Sequence, residues 1–154
     1  IDKAPLNFKY IGFIKKIFPN SKIINCNRDP IDICWSNYKN FFSGTLPFSN
    51  NLNDLASFYA LYQNYIKFWK ELFPNKIYDI VYEELVENPK EEIKNLLKFC
   101  NLRFEENCLK HENNPKSIKT ASWVQARKPI YKSAIKSSDY FKPYLGELIE
   151  KIKN

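Results

Sequence analysis

Apolar residues recur along this chain at two spacings, and the breaks between them divide it into elements. Phe8, Ile11, Ile14, Ile17 and Phe18 fall at every third or fourth position, which predicts a helix over 6–18 that stops at Pro19-Asn20. The run Lys22-Ile23-Ile24-Asn25-Cys26 is short, β-branched and bounded by turn residues, as in a parallel strand covered on both faces. Asp29 is a good N-cap and Pro30 a good first helical residue, so a helix is expected over 30–42, with Ile33, Cys34, Tyr38 and Phe41 or Phe42 inward. Residues 43–53, rich in Ser, Asn, Gly and Pro, predict a loop, either on a substrate side or a plain connector. Asn53 or Asp54 then caps a helix that continues to about residue 73. Its Leu55, Phe58, Tyr59, Tyr62, Tyr65, Ile66, Trp69 and Leu72 have the spacing of a buried stripe rather than of a base-stacking platform.

The second half repeats the alternation. Lys76-Ile77-Tyr78-Asp79-Ile80-Val81-Tyr82 predicts a second buried strand, and Glu83-Glu84-Leu85-Val86 a short helical turn. Pro89 opens a helix over 89–100 with acids in its first turn and Ile93, Leu96, Leu97 and Cys100 inward. One short helix is expected within 102–110. Residues 112–140 are polar and basic with interleaved aromatics and read as an ordered loop over a site. A last amphipathic helix is expected over 141–152, with Pro143 near its start.

Strands separated by helices imply a three-layer α/β/α fold with a parallel sheet. Two strands are few for a sheet, and the chain opens on Ile1 rather than Met. The expectation is therefore a single domain whose upstream strands lie outside these 154 residues.

Composition bounds the function classes. Hydrophobic residues make up 44% and charged residues 27%, which is globular rather than disordered. No run of about 18 apolar residues exists, so no membrane span is expected. The net charge of +7 suits either a solvated Lys-rich surface or a polyanionic ligand. The lysines are scattered with no dense basic run, so nucleic acid is not the expected partner. Cys26, Cys34, Cys100 and Cys108 form no C-x-x-C pair, and His111 is the single histidine, expected to be exposed and not a base. No metal site is expected from such spacing. Four reduced thiols suit a reducing compartment, so a cytoplasmic location is expected.

The candidate chemistry centres on residues 21–38. Arg28 falls at the carboxyl end of the first strand and at a helix N-terminus, where open α/β sheets hold anions. The chain has three Gly and no glycine-rich phosphate loop. Arg28 and Ser36, eight residues apart, offer a guanidinium fork and a hydroxyl to a phosphate. The alternative is an Arg28 paired with Asp29 or Asp32 and a Ser36 bonded to its own backbone.

The run Arg28-Asp29-Pro30-Ile31-Asp32-Ile33-Cys34-Trp35-Ser36 resembles the 3′-phosphate motif of sulfotransferases that use 3′-phosphoadenosine 5′-phosphosulfate (PAPS). Three further stretches resemble that family, in the same order. Asp2-Lys3-Ala4-Pro5 resembles the segment whose Lys contacts the transferred sulfuryl group. Val81-Tyr82-Glu83-Glu84 resembles the strand end whose Tyr touches the nucleotide. The stretch from Thr120 to Ser137 resembles the loop that closes over it, in the bacterial and tyrosylprotein-type branch often fused to helical repeats. The resemblance implies a P-loop NTPase-like sulfotransferase fold, of which residues 1–154 are the C-terminal part, with the N-terminal strand and the phosphosulfate loop missing. It implies catalytic roles for Lys3 and Ser122, and cofactor contacts at Arg28, Ser36, Tyr82, Arg127, Lys128 and Lys136. It implies PAPS as sulfuryl donor without a metal, a hydroxyl or amine acceptor on a protein, glycan or small molecule, and release of adenosine 3′,5′-bisphosphate. A fusion to helical repeats upstream and inactivity of the fragment alone are further expectations. Ser137 stands where the bacterial branch often has an aromatic residue, and the family's upstream base has no counterpart here. Asp2 next to Lys3 is read as a solvated terminal acid.

Two other classes fit parts of the pattern. A P-loop-type nucleotide kinase fragment shares the layout but needs a Mg²⁺-binding acid, not Arg28, at the first strand's tip. A non-catalytic polyanion-binding module needs only the positive charge.

Overall fold

The structure, a computed structural model, describes residues 1–40, 42, 46–114 and 127–153. Its centre is a parallel pair of strands, β1 (Ile23–Asn27) and β2 (Ile77–Val81), in register from Ile23 beside Ile77 to Asn27 beside Val81. The predicted strands are present, shifted by one residue at the first and trimmed at the second, where Tyr82 begins a helix.

Six α-helices surround the pair among the described residues: α1 (Ile11–Ile17), α2 (Pro30–Tyr38), α3 (Leu52–Leu72), α4 (Tyr82–Glu87), α5 (Pro89–Phe99) and α6 (Gly146–Lys153). Residues paired across a parallel sheet share a face, so Ile23, Asn25, Ile77 and Asp79 point one way and Ile24, Cys26, Tyr78 and Ile80 the other. The first face meets α3, where the Tyr62 hydroxyl donates to Asn25 Oδ1 at 2.6 Å. The second meets α5, whose Phe99 ring lies 5.2 Å from Tyr78. Helices thus cover both faces of an α/β fold with a parallel sheet, as predicted.

Coverage is uneven, which corrects the expectation for β1. Only α4 separates β2 from α5, so α5 docks over β2 and does not reach across. Ile24 remains 42% exposed and Cys26 is exposed.

Two apolar clusters hold the helices. In one, Phe8, Ile11 and Ile66 are buried, with Phe8 edge-on to Phe58, Tyr62 and Tyr65 at 5.3–5.9 Å between ring centres. Gly12 lets α1 lie against α3. A Cβ there would come within 2.8 Å of the Trp69 ring, whose Nε1 donates to the Phe8 carbonyl at 2.7 Å. In the other, α2, α3 and α6 bury Ile31, Cys34, Leu55, Ala56, Leu145 and Leu148. The aromatic stripe of α3 is core, as its spacing predicts, except that Leu72 is exposed; so are Ile17 and Phe18 at the end of α1.

Several boundaries differ from the predicted ones, each for a local reason. The first helix opens as a tight 3₁₀ segment, Pro5–Tyr10, before α1. α2 ends at Tyr38 rather than 42, because the Asn40 side chain takes the Ser36 carbonyl at 2.6 Å and the Asn40 N–H turns back to Asn37 at 3.2 Å. Tyr38 is accordingly exposed. Asn51, not Asn53 or Asp54, caps α3, its side chain accepting from both of their N–H groups. The inward residues of α5 are half-buried, none fully. Within 102–110 only a turn, Glu106–Leu109, is helical. Pro143 has no N–H to give, so Asp139–Tyr144 is a 3₁₀ turn and α6 starts five residues later than predicted.

Candidate functional site

Both strands end at one corner of the molecule, where a cleft of about 460 Å³ opens between β1, the start of α4 and the segment 135–142. Arg28 is the first residue beyond β1. Its side chain is 18% exposed, and its guanidinium lies over the Tyr82 ring at 5.4 Å. Arg28 Nη2 donates to the Ala134 carbonyl and to Ser137 Oγ, the latter at 3.1 Å, and lies 3.3 Å from Asp32 Oδ2. The expected alternative of an Arg28–Asp32 pair is therefore present. It takes up one nitrogen only: Arg28 Nε is buried and has no hydrogen-bond partner among the described residues.

α2 positions what faces Arg28. The Asp29 side chain accepts the Asp32 N–H at 2.8 Å, and the Asp29 N–H donates to Glu83 Oε1 at 3.0 Å, fastening the turn to α4. Asp32 is 1% exposed. Burial pushes its carboxyl up, but hydrogen bonds from Ser138 and Arg28, with the Arg28 charge, outweigh burial and hold it below the ordinary carboxylate range. Ser36 is half-buried one turn beyond Asp32. Asp32 and Ser36 lie one turn apart on α2, a rise of about 6 Å, while Arg28 precedes the Asp29 N-cap. No hydrogen bond of the Ser36 hydroxyl is found among the described residues.

The other predicted site residues fall in three groups. Tyr82 joins Arg28 directly, and its hydroxyl donates to the Tyr131 carbonyl at 2.7 Å. Lys136 lines the cleft with φ +57°, the left-handed region that a long side chain rarely takes, between Ala134 and Ser137 that reach Arg28. Lys128 and Arg127 lie further along the same segment and are exposed. The Lys128 carbonyl meets His111 Nε2 at 3.0 Å, and Arg127 donates to the Asn114 carbonyl at 2.9 Å. Lys3 is exposed near the start of the chain, and its charge is felt at Cys26, two residues before Arg28. Asp2 accepts from the Asn7 side chain at 2.5 Å. Ser122 lies outside the described residues.

Sequence reasoning missed Asp32 as an organiser. The four-residue spacing allows the Arg28 pair, but the contacts that make Asp32 an organiser come from Ser137 and Ser138, more than 100 residues away. Of the acids on the cleft rim, Asp29 and Glu83 hold backbone N–H groups and Asp139 pairs with Lys142 at 2.6 Å, while Glu84 is exposed. The corner can therefore offer an acceptor-rich anion the Arg28 Nε donor and the Lys136 charge. A group of acceptor oxygens such as a phosphate fits the first and is attracted by the second.

All four cysteines are free thiols, and burial, with the Asp29 charge, pushes the Cys34 thiol up to about 12. Among the described residues no group of three or more His, Cys, Asp or Glu is placed to hold a metal ion, and no helix is long and apolar enough to cross a membrane.

Comparison with known proteins bears on the same residues. An uncharacterised protein of Aquifex aeolicus (strain VF5) is 37% identical over 153 residues, which is 97% of this chain and 20% of that protein. The chain thus spans about a fifth of the length of the curated relative it matches. The sequence profile described as "Sulfotransferase family" matches residues 1–106, which take in Lys3, both strands, the Arg28–Ser36 turn and Tyr82. With more than half its length matched, and the parallel strands ending at an anion-ready corner, this chain belongs to the sulfotransferase family.

Proposed function

We propose that these residues are the C-terminal part of a single sulfotransferase domain that moves a sulfuryl group from PAPS to a hydroxyl or amine, leaving adenosine 3′,5′-bisphosphate. The observation that carries the donor assignment is the buried Arg28 Nε–H, which has no acceptor among the described residues, at the carboxyl end of a parallel strand. A buried donor left unpaired costs about 1–3 kcal/mol. A phosphate that reaches it recovers that cost, whereas a neutral ribose offers no comparable charge-assisted bond.

In this reading Arg28 grips the 3′-phosphate, and Ser36, one turn beyond Asp32 on α2, supplies a hydroxyl. Tyr82 holds the guanidinium from below and lies beside the nucleotide. Lys136 adds charge from the C-terminal segment, and Lys128 and Arg127 contribute to the same segment's basic side. Lys3 and Ser122 act at the sulfuryl end. PAPS supplies the activated sulfuryl group, and transfer resembles phosphoryl transfer, in which charge spreads over peripheral oxygens and cations stabilise it. Lys3 is the cation of this chain assigned to that charge, and the remote grip of Arg28 fixes where the reacting end lies.

The test is a titration of the full-length protein with adenosine 3′,5′-bisphosphate and with AMP by calorimetry. The bisphosphate is expected to bind at least tenfold more tightly, the equivalent of about 1.4 kcal/mol for one charge-assisted contact. Equal affinity would remove the 3′-phosphate role from Arg28.

A further inference from the structure

We propose that Asp32 is the positioning residue of this site: one buried carboxylate that fixes the Arg28 guanidinium and closes the C-terminal segment over the cleft. The inference rests on the reading that Arg28 takes the 3′-phosphate.

Asp32 lies in the first turn of a helix that otherwise buries Ile31 and Cys34, and it is 1% exposed. A carboxylate is costly to bury and persists there only when its oxygens are paired. Its pairing is divided. Oδ1 accepts the Ser138 N–H at 2.8 Å and faces Ser137 Oγ at 3.3 Å, while Oδ2 makes no hydrogen bond among the described residues and has the ion-pair contact to Arg28 Nη2 at 3.3 Å. The same Ser137 hydroxyl meets Arg28 Nη2 at 3.1 Å. Asp32, Arg28 and Ser137 therefore close a three-membered ring of contacts that joins segments more than 100 residues apart.

The ring has two consequences for a ligand. Nη2 is held by Asp32, Ser137 and the Ala134 carbonyl, so the guanidinium is fixed over Tyr82 with Nε left as the buried donor to be satisfied. The N–H of Ser138 and the hydroxyl of Ser137, both on Asp32 Oδ1, hold the segment that carries Lys136 against the cleft. A side chain without a hydroxyl at 137 would lose both the contact to Arg28 Nη2 and the contact to Asp32 Oδ1. Ser137 is thus the local partner that lets Asp32 hold both groups at once.

A positioning role separates from a merely structural one by selectivity. In Asp32→Asn the side chain keeps its size, loses its charge and turns an amide donor toward a guanidinium that needs acceptors. Affinity for adenosine 3′,5′-bisphosphate is expected to fall about tenfold, with AMP affinity unchanged, because AMP lacks the phosphate that Arg28 meets. Ser137→Ala, which leaves the carboxylate in place, is expected to lose about threefold, again for the bisphosphate alone.

Equal weakening of both nucleotides would reduce Asp32 to a fold contact and overturn the proposal. A retained preference in Asp32→Asn, with the wild type preferring the bisphosphate, would overturn it and leave the donor assignment standing. A wild type without that preference would overturn the reading of Arg28 and this inference with it. Should Asp32→Asn not fold, Ser137→Ala decides: an unchanged bisphosphate preference sinks the proposal.

Discussion

Asp32 and Asp79 are both carboxylates paired with a cation, and the difference between their surroundings separates a site from a scaffold. Burial pushes both up, and in both, hydrogen bonds and a cation outweigh burial: Lys70 and Asn25 for Asp79, Ser138 and Arg28 for Asp32. Around Asp79 the network is closed. Asn25 Nδ2 donates to Asp79 Oδ1 at 2.8 Å, Tyr62 donates to Asn25 Oδ1 at 2.6 Å, and Lys70 pairs with the other carboxylate oxygen. No polar side-chain atom of that network is buried without a partner. Around Asp32 the network is open, because Arg28 Nε and Asp32 Oδ2 are both buried without a hydrogen-bond partner among the described residues. Polar groups that only join elements are expected to satisfy one another, while a donor kept for a ligand stays unsatisfied until the ligand arrives.

Breaking the open cluster should have the larger effect. Arg28→Ala leaves Asp32 as a buried carboxylate without its cation, which costs about 3–5 kcal/mol when no other donors remain. The Ser138 N–H persists, so we expect about 3 kcal/mol, read as a lower urea midpoint at unchanged slope. Adding Asp32→Asn should recover part of that loss, because the orphaned charge goes with it. A double variant as unstable as the single one would mean that the carboxylate was never the source. Arg28→Ala should also abolish the preference for the bisphosphate over AMP.

The closed cluster should lose stability alone, without a change in nucleotide binding. Tyr62→Phe removes the hydroxyl that Asn25 accepts and should cost about 1–2 kcal/mol of stability. It should leave affinity for both nucleotides untouched, since the cluster lies between the sheet and α3. A changed bisphosphate preference in Tyr62→Phe would end the distinction between scaffold and site.

The two clusters also mark how far the sequence could be read. The strands and helices were legible because Pro19, Pro30, Pro74 and Pro89 punctuate runs of clear period. The stripe on α3 read as core because Phe58, Tyr62, Tyr65 and Trp69 recur at helical spacing. Helix ends were less legible, since Asn40 and Asn51 act through side-chain hydrogen bonds that periodicity does not encode. At the site, Arg28 stood out as a cation at a strand tip, and Tyr82 and Lys136 through the family likeness. The structure places these three around one corner. Asp32 stood out only as an alternative partner of Arg28. Its burial depends on Ser137 and Ser138 returning from more than 100 residues away, and no local pattern in α2 carries that information. The open face of β1 was likewise invisible, because an apolar strand reads alike whether or not a helix reaches it.

The smallest expected effect, the contrast in acid response, tests the comparison most directly. Both carboxylates are held below their ordinary value of 3.8 in the folded protein. A depressed folded pKa means that the stabilisation is fully present above that ordinary value and is lost as pH falls through the folded one. Stability should therefore hold down to about pH 4 and decline below it. Asp32 should account for more of the decline, because the Asp79 side chain is 33% exposed and water screens its pair with Lys70. Urea midpoints at pH 5 and pH 3 for the wild type, Asp32→Asn and Asp79→Asn give the measurement. The drop between the two pH values should shrink clearly in Asp32→Asn and only slightly in Asp79→Asn. A reversed order would make Asp79 the more strongly held carboxylate, and the open cluster would then owe its burial to packing of the segment 131–139 rather than to charge.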